Sequence, residues 1–484
     1  MKNLIVFLFV LTFFSPLWAQ YSARNYIPPT DPLVVKKLEE WQDLKFGLMM
    51  HWGIYSEWAI GESWSLCSED MGWNARERGR YENYDLYKED YRNLQKVFNP
   101  VKFNPEKWVK AAHEAGMRYL VFTTKHHDGF CMFDSKTTDF KITSEVSPFH
   151  VNPRANIAKV LFNAFRNAGF WIGTYFSKAD WDCDYYWWPY FATPDRHVNY
   201  DPAKYPERWE KFKQFTFQQI EELMTGYGRI DVLWLDAGWV RPYDNIPMRF
   251  ERWAKKKDWH QEIDMDGIAE MARSHQPGLI IVDRTVGGKY ENIITPEGTV
   301  PREEIRVPWE TCMTMAKNGW TYRINQEFKS VHDLIHILVN IVSKGGNLLL
   351  NIGPDGQGDW PEGAYDRLRG IGDWMKVNSE SIYETRPIEP YKDGKVCLTR
   401  KKGSGTVYAI YLADEDEHIL PSKIWLSRPQ PTDDAVITML GVSGGLRWEK
   451  VAKGFLVEIP ETIQNNPPCQ HAWTLKISQI AEKE

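Results

Sequence analysis

The sequence predicts an imperfect (β/α)8-like (TIM) barrel followed by a C-terminal all-β sandwich, and three observations carry that prediction. First, short apolar runs alternate with amphipathic stretches of helical period roughly seven times between Lys45 and Met375, the order that builds a parallel sheet. Second, polar and aromatic residues follow the apolar runs, at the end where barrels carry their function. Third, beyond a proline-rich hinge at Arg386–Pro390 the chain changes to short strands with no helix between them. A doubly wound open sheet is the structural alternative, but no G-x-G-x-x-G turn follows the first strand.

The opening segment, 1–19, has Lys2, an apolar core from Leu4 to Phe14 and a small residue at Ala19. That order of regions reads as a secretory signal peptide, too short and wrongly flanked for a membrane span. Periplasmic or secreted localisation is therefore expected. No Cys follows Ala19 to hold a lipid anchor, and no later apolar run is long enough to span a membrane. The barrel is expected over 33–377 and the sandwich over 391–480.

A formal net charge of -6 gives no basic footprint for nucleic acid. Trp, Tyr and Phe each occur 23 times, more flat faces than a core needs, and such faces suit the C–H side of sugar rings as well as packing. The six Cys stand far apart without a C-x-x-C pair or a Cys-His cluster at zinc spacing, so mostly free, buried thiols are expected.

Taken in order, Leu33–Leu44 has helical spacing, and Phe46–Met50 is the first strand, which puts His51 and Trp52 at its end. Ile54–Pro100 is a long polar and aromatic loop holding Glu57, Trp58, Glu62, Trp64, Glu69 and Trp73, of the kind that carries function. Asn104 caps and Pro105 opens a helix that Gly116 closes, and the strand Tyr119–Phe122 follows. It runs into Lys125-His126-His127-Asp128-Gly129-Phe130. Neighbours on an extended segment point to opposite sides, so only one of these histidines is expected to face a given pocket. Ile157–Asn167 is a helix and Phe170–Phe176 a strand. Pro206–Tyr227 is the long helix before the apolar run that Asp236 ends, and the helix Met265–His275 precedes the strand Leu279–Val282. Thr285–Trp320 is irregular and hides the eighth unit. Helical period returns from Val331 to Val342, before a buried strand, a glycine turn and a last helix, Tyr365–Met375. The sandwich strands are expected at Val407–Leu412, Ile424–Leu426, Ala435–Leu440, Phe455–Ile459 and Trp473–Ile477. Covering the barrel is the favoured role for this domain over sugar binding, since no exposed aromatic cluster stands out in it.

Asp236 ends a buried strand just before Ala237-Gly238, where the chain can turn; a barrel places catalytic carboxylates there, and capping the next loop is the alternative. His51, at a matching strand end, is open to a catalytic or a structural role. A metal site at His126, His127 and Asp128 is disfavoured, because neighbouring residues rarely converge on one ion and no helical H-x-x-x-H pair accompanies them. No metal and no cofactor is expected.

Four segments resemble, in order, signature stretches of the α-L-fucosidases of glycoside hydrolase family 29. They are Phe46-Gly47-Leu48-Met49-Met50-His51-Trp52-Gly53, Lys125-His126-His127-Asp128-Gly129-Phe130, Leu233-Trp234-Leu235-Asp236, and the run from Ser343 through Gly345-Gly346-Asn347 to Gly353-Pro354. The resemblance implies an exo-acting retaining glycosidase that releases L-fucose from α-L-fucosides of oligosaccharides or glycoconjugates by double displacement. On it, Asp236 matches the nucleophile, and His51, His126 and His127 match residues that hold the fucose hydroxyls. Trp52 and Tyr175 fall in pocket segments, Trp234 precedes the nucleophile, and Arg284 resembles the arginine near the acid/base. Thr295-Pro296-Glu297 resembles the family's Thr-Pro-Glu, making Glu297 the acid/base, with Glu303, Glu304 and Glu310 as neighbouring alternatives. Gly61-Glu62-Ser63-Trp64 departs from an adjacent Glu-Trp pair and offers Glu62 and Trp64 as further sugar contacts.

The residue types fit that chemistry, which needs one ionised carboxylate to attack the anomeric carbon and a second, protonated carboxyl to release the leaving group. Two rival readings use the same residues. One is a same-fold retaining glycosidase accepting a fucose-like sugar such as an L-galactoside; the other is a catalytically inactive carbohydrate-binding barrel, which would have no need of both Asp236 and an acid glutamate.

Overall fold

Seven strands form one parallel sheet: β1 (Phe46–Met50), β2 (Tyr119–Lys125), β3 (Trp171–Ser177), β4 (Val232–Asp236), β5 (Ile280–Asp283), β6 (Glu310–Thr314) and β7 (Asn347–Asn351). Their order is β5-β4-β3-β2-β1-β7-β6, which is chain order curled round on itself. The computed structural model describes residues 26–67, 76, 82–193, 195–243 and 259–481; the 1–19 leader, Glu69 and Trp73 lie outside the described residues.

Because strand side chains alternate, each strand contributes to two cores. Leu48, Met50, Leu120, Phe122, Leu233 and Leu235 face outward to the surrounding helices. Met49, Tyr119, Val121, Tyr175, Val232 and Trp234 fill the interior, floored by Val34, Leu38 and Trp41 of the helix Pro32–Leu44. Several helices begin as their residue types dictate. Asn104 Oδ1 accepts from the Lys107 N–H at 3.1 Å ahead of Pro105–Glu114, and Ser330 and Asp333 form a reciprocal capping box on Val331–Ser343.

Between β5 and β6 the barrel is closed by an irregular segment rather than a regular strand. Asn292 N donates to Ile281 O of β5, while Ile294 and Glu297 form parallel bridges to Trp309 and Cys312 beside β6. Pro296 has no N–H to give, yet its carbonyl accepts from Cys312 N at 3.2 Å. This is the hidden eighth unit, and Glu297 stands at its C-terminal end.

The Arg386–Pro390 stretch expected as a hinge lies inside a strand, β8 (Thr385–Asp393), whose register against β9 (Val396–Lys401) slips between Pro387 and Lys392. That slip is how a strand accommodates prolines that lack a donor. The remaining strands are β10 (Val407–Leu412), β11 (Lys423–Leu426), β12 (Ile437–Met439), β13 (Trp448–Val451), β14 (Gly454–Glu458) and β15 (Ala472–Ile477). They make an antiparallel sheet, β12-β15-β10-β9-β8, and a smaller one, β11-β14-β13, around a separate core. The sandwich docks on the barrel through polar contacts with two helices, Val331–Ser343 and Glu362–Asn378. Trp374 Nε1 donates to Ala472 O at 2.9 Å, Thr474 Oγ1 to Asn378 Oδ1 at 2.7 Å, and His336 Nε2 bonds His471 O at 3.0 Å. Ile54–Pro100, expected as a loop, contains a helix at Tyr84–Arg92 whose buried Tyr87 and Tyr91 pin it to the core. All six cysteines are free.

At Gly47 the neighbouring strand leaves no room for a side chain: an added Cβ would lie 2.3 Å from the Tyr119 ring. Gly47→Ala is expected to destabilise the protein by about 1–3 kcal/mol through overpacking. A urea midpoint equal to that of the parent protein would show that the ring can yield.

Candidate functional site

Asp236 is the last residue of β4 and sits at the C-terminal mouth of the barrel with a side chain 15% exposed. Its two oxygens are fully engaged. Oδ2 accepts from Tyr175 Oη at 2.7 Å, and Oδ1 accepts from the Ala237 N–H at 2.8 Å and from Arg284 Nη1 at 3.3 Å. Burial by itself would raise this carboxyl; the Arg284 charge and these hydrogen bonds outweigh it and hold the group at about 2. Asp236 is therefore ionised. The turn that follows is strained, since Ala237 takes φ 66°, a region that costs a non-glycine residue about 1–2 kcal/mol. Gly238 lets the chain after β5 press close, because a Cβ there would fall 2.1 Å from Thr285 Oγ1 and 2.7 Å from Arg284 O. That approach is what brings Arg284 alongside Asp236.

The other arm of the Arg284 guanidinium, Nη2, pairs with Glu297 Oε2. One guanidinium thus spans both carboxylates, with its Cζ 5.3 Å from the centroid of the Trp234 ring. Glu297 is 39% exposed against 15% for Asp236, so the pair has a deep member and a solvent-side member.

The alternation expected of His126 and His127 does not hold. Strand β2 ends at Lys125 and both histidines lie in the turn beyond it, where their rings converge with centroids 4.1 Å apart. His126 stacks on Tyr175 at 5.7 Å, and His127 Nε2 lies 4.0 Å from Asp236 Oδ2. His51 completes the cluster, 5.7 Å from His126 and 5.5 Å from Tyr175.

Neighbours set the tautomers of two of these rings. Ser177 Oγ donates to Ala179 O, so at 2.7 Å it accepts from His127 Nδ1, leaving Nε2 with a lone pair. Asn351 Oδ1 accepts from His51 Nδ1 at 2.8 Å, with the same result. His126 Nδ1 pairs with Ser63 Oγ. Burial lowers all three histidines, His51 to about 4, His127 to about 3 and His126 well below its ordinary value, so each is neutral. Beside a neutral His127, the charge that holds Asp236 ionised is that of Arg284.

Glu62 and Trp64 both reach this region. Glu62 Oε1 accepts from the Trp320 N–H at 3.2 Å, and burial raises its carboxyl to about 7. Trp64, Trp181 and Trp239 surround the His127 ring at 5.0, 5.2 and 5.1 Å. Trp52 is not brought to the site. It continues the outward phase of Leu48 and Met50, and its ring packs against Phe98, Phe103 and Trp108. Glu310, an alternative acid, is buried inside the barrel at the first residue of β6, away from the mouth. Sequence reasoning passed over Ser177 and Asn351, although both end parallel strands as Asp236 does; that shared position was a signal available in the pattern. Trp181 and Trp239 sit in loops and Ser63 opens a short 3-10 turn, Ser63–Cys67, where no periodicity marks them.

Comparison with known proteins agrees with this arrangement. Residues 15–380 match the family model for alpha-L-fucosidase, and residues 391–478 the model for the alpha-L-fucosidase C-terminal domain. An alpha-L-fucosidase of Branchiostoma floridae is 28% identical, covering 97% of this chain and 99% of its own length. The human tissue alpha-L-fucosidase is 27% identical over 94% and 92%. Among solved structures, alpha-L-fucosidase isoenzyme 1 from Paenibacillus thiaminolyticus superposes with a TM-score of 0.72 at 28% identity, covering 93% of this chain and 100% of that one. A GH29 alpha-L-fucosidase from Bacteroides thetaiotaomicron shares the fold, with a TM-score of 0.69 at 23% identity over 94% and 97%. The chain belongs to the alpha-L-fucosidase family and is a glycoside hydrolase that releases L-fucose.

Proposed function

We propose that Asp236 is the nucleophile and Glu297 the acid/base of a retaining, exo-acting cleavage of α-L-fucosides in fucosylated glycans. The observation that carries this assignment is the single Arg284 guanidinium shared between an ionised, deep carboxylate and a more exposed one. Retaining glycosidases hold their two carboxyls about 5 to 5.5 Å apart, a separation one guanidinium can span. In the first step an Asp236 oxygen bonds to the anomeric carbon while Glu297 protonates the departing oxygen. In the second, Glu297 takes a proton from water, whose oxygen displaces Asp236 and restores the α configuration.

The remaining residues fit the sugar. His51 and His127 each present an Nε2 lone pair that accepts from a hydroxyl. Glu62, at about 7, can meet a hydroxyl as donor or acceptor, and Trp64, the partly exposed ring backed by Trp181 and Trp239, suits an apolar C–H surface. The order of regions in 1–19 supports export of the mature chain to the periplasm or medium.

Asp236→Ala is expected to abolish turnover of aryl fucosides and glycans alike. Glu297→Ala should lose natural glycans far more than an activated aryl fucoside and should be rescued by azide as a fucosyl azide. Full glycan activity in Glu297→Ala would move the acid/base to Glu303 or Glu304. The mass of the exported protein should correspond to a chain starting at Gln20; an intact Met1 in that fraction would remove the leader assignment.

A further inference from the structure

Glu310 is a buried carboxyl that the two-step reaction leaves without a task. Its side chain lies inside the barrel, 1% exposed, and both oxygens accept from aromatic residues: Oε1 from Trp234 Nε1 and Oε2 from Tyr119 Oη, each at 2.9 Å. Burial raises this carboxyl to about 7. A carboxyl in such a place is costly unless its hydrogen bonds are needed.

Those bonds lead to the nucleophile. Trp234 stacks on Tyr175 with centroids 5.2 Å apart and planes 22° from parallel, and the Arg284 guanidinium lies over the same indole at 5.3 Å. Tyr175 and Arg284 are two of the three donors that hold Asp236. The indole is thus a shared platform. Its rotation within the barrel is fixed at its N–H, and the acceptor there is Glu310. Without it, a stacked indole keeps its apolar contacts but loses what sets its angle, and both donors above it shift against Asp236.

We infer that Glu310 is a positioning residue for the fucosidase reaction, acting through the Trp234 indole to align Tyr175 and Arg284 on Asp236. The inference rests on the assignment of Asp236 as nucleophile. It also gives Glu310 a part distinct from that of the acid/base, since it reaches no substrate.

Glu310→Leu and Glu310→Gln separate positioning from mere packing. The glutamine carbonyl can still accept from Trp234 Nε1, and its amide can donate to Tyr119 Oη; leucine offers neither. Glu310→Leu is expected to lower kcat for an aryl α-L-fucoside by about tenfold to a hundredfold, with KM changed by less than about threefold, since the loss is in attack rather than in binding. Glu310→Gln should recover to within about threefold of the parent enzyme. Trp234→Phe should lose a similar factor, and Glu310→Leu combined with Trp234→Phe should lose no more than Trp234→Phe alone, because both act through one bond. Additive losses in the double variant, or a Glu310→Leu enzyme with parent kcat, would overturn the inference. A glutamine variant as slow as the leucine one would overturn it too, because the carboxylate itself would then be required. Asp236→Ala run alongside keeps the two readings apart: turnover surviving in that variant removes the nucleophile assignment, while its loss together with normal Glu310 variants removes only the positioning role.

Discussion

The chemistry at the barrel mouth depends on one guanidinium. Two carboxylates brought this close in a poorly hydrated pocket repel each other, and without a cation between them one would keep its proton at neutral pH. Arg284 prevents that on the Asp236 side, where it is joined by Tyr175 and the Ala237 N–H. An arginine suits the task because its planar fork offers separate nitrogens, so that one arm can hold Asp236 while the other releases Glu297. On the proposed assignment that separation matters, because Glu297 lies on the solvent side with one arm of the fork as its partner, whereas Asp236 is held by three donors.

The same economy of charge governs the histidines. Three imidazoles packed this closely could not all be protonated, and burial keeps each neutral. What makes them useful is their orientation: the serine behind His127 and the asparagine behind His51 take the Nδ1 proton and turn a lone pair toward the pocket. On the proposed binding role, sugar hydroxyls would find neutral acceptors there, inside a ring of aromatic side chains that limits competition from water.

Much of this was legible in the chain. Apolar runs and helical periods located six of the seven regular strands and most helices, since burial on both faces of a parallel strand leaves a continuous hydrophobic signal; β6, Glu-Thr-Cys-Met-Thr, lies in the stretch read as irregular because it carries no such run. Asp236 and His51 converge as their strand-end positions suggested, and His127 and Tyr175, which the resemblance named, lie beside them. The failures share a physical cause. Trp52 was placed in a pocket segment by the resemblance, yet its indole packs with the outward residues Leu48 and Met50 in the helix layer. The paired histidines failed in the opposite sense, because alternation was extended past the end of the strand into a turn. Ser63, Trp181 and Trp239 depend on how long loops fold over the mouth, which no local period encodes. The proline-rich stretch at Arg386–Pro390 looked like a hinge because proline cannot donate, but an edge strand with a slipped register does not ask it to.

The irregular eighth unit gives the two carboxylates different backbone supports, which bears on the roles proposed for them. Asp236 ends a strand hydrogen-bonded on both sides, to β3 and β5, so its backbone is held by the sheet itself. Glu297 stands on a segment that meets β6 through isolated bridges and includes a proline that gives no hydrogen bond. A nucleophile must meet the anomeric carbon at a fixed angle in both half-reactions, and rigidity serves it. The acid/base has to protonate an oxygen, let the leaving group go and then address a water in its place, with Arg284 as an alternative partner throughout. A regular eighth strand would give Glu297 the same constraint as Asp236; on the proposed assignment, the irregular segment between β5 and β6 leaves the second carboxyl the small freedom its two steps call for.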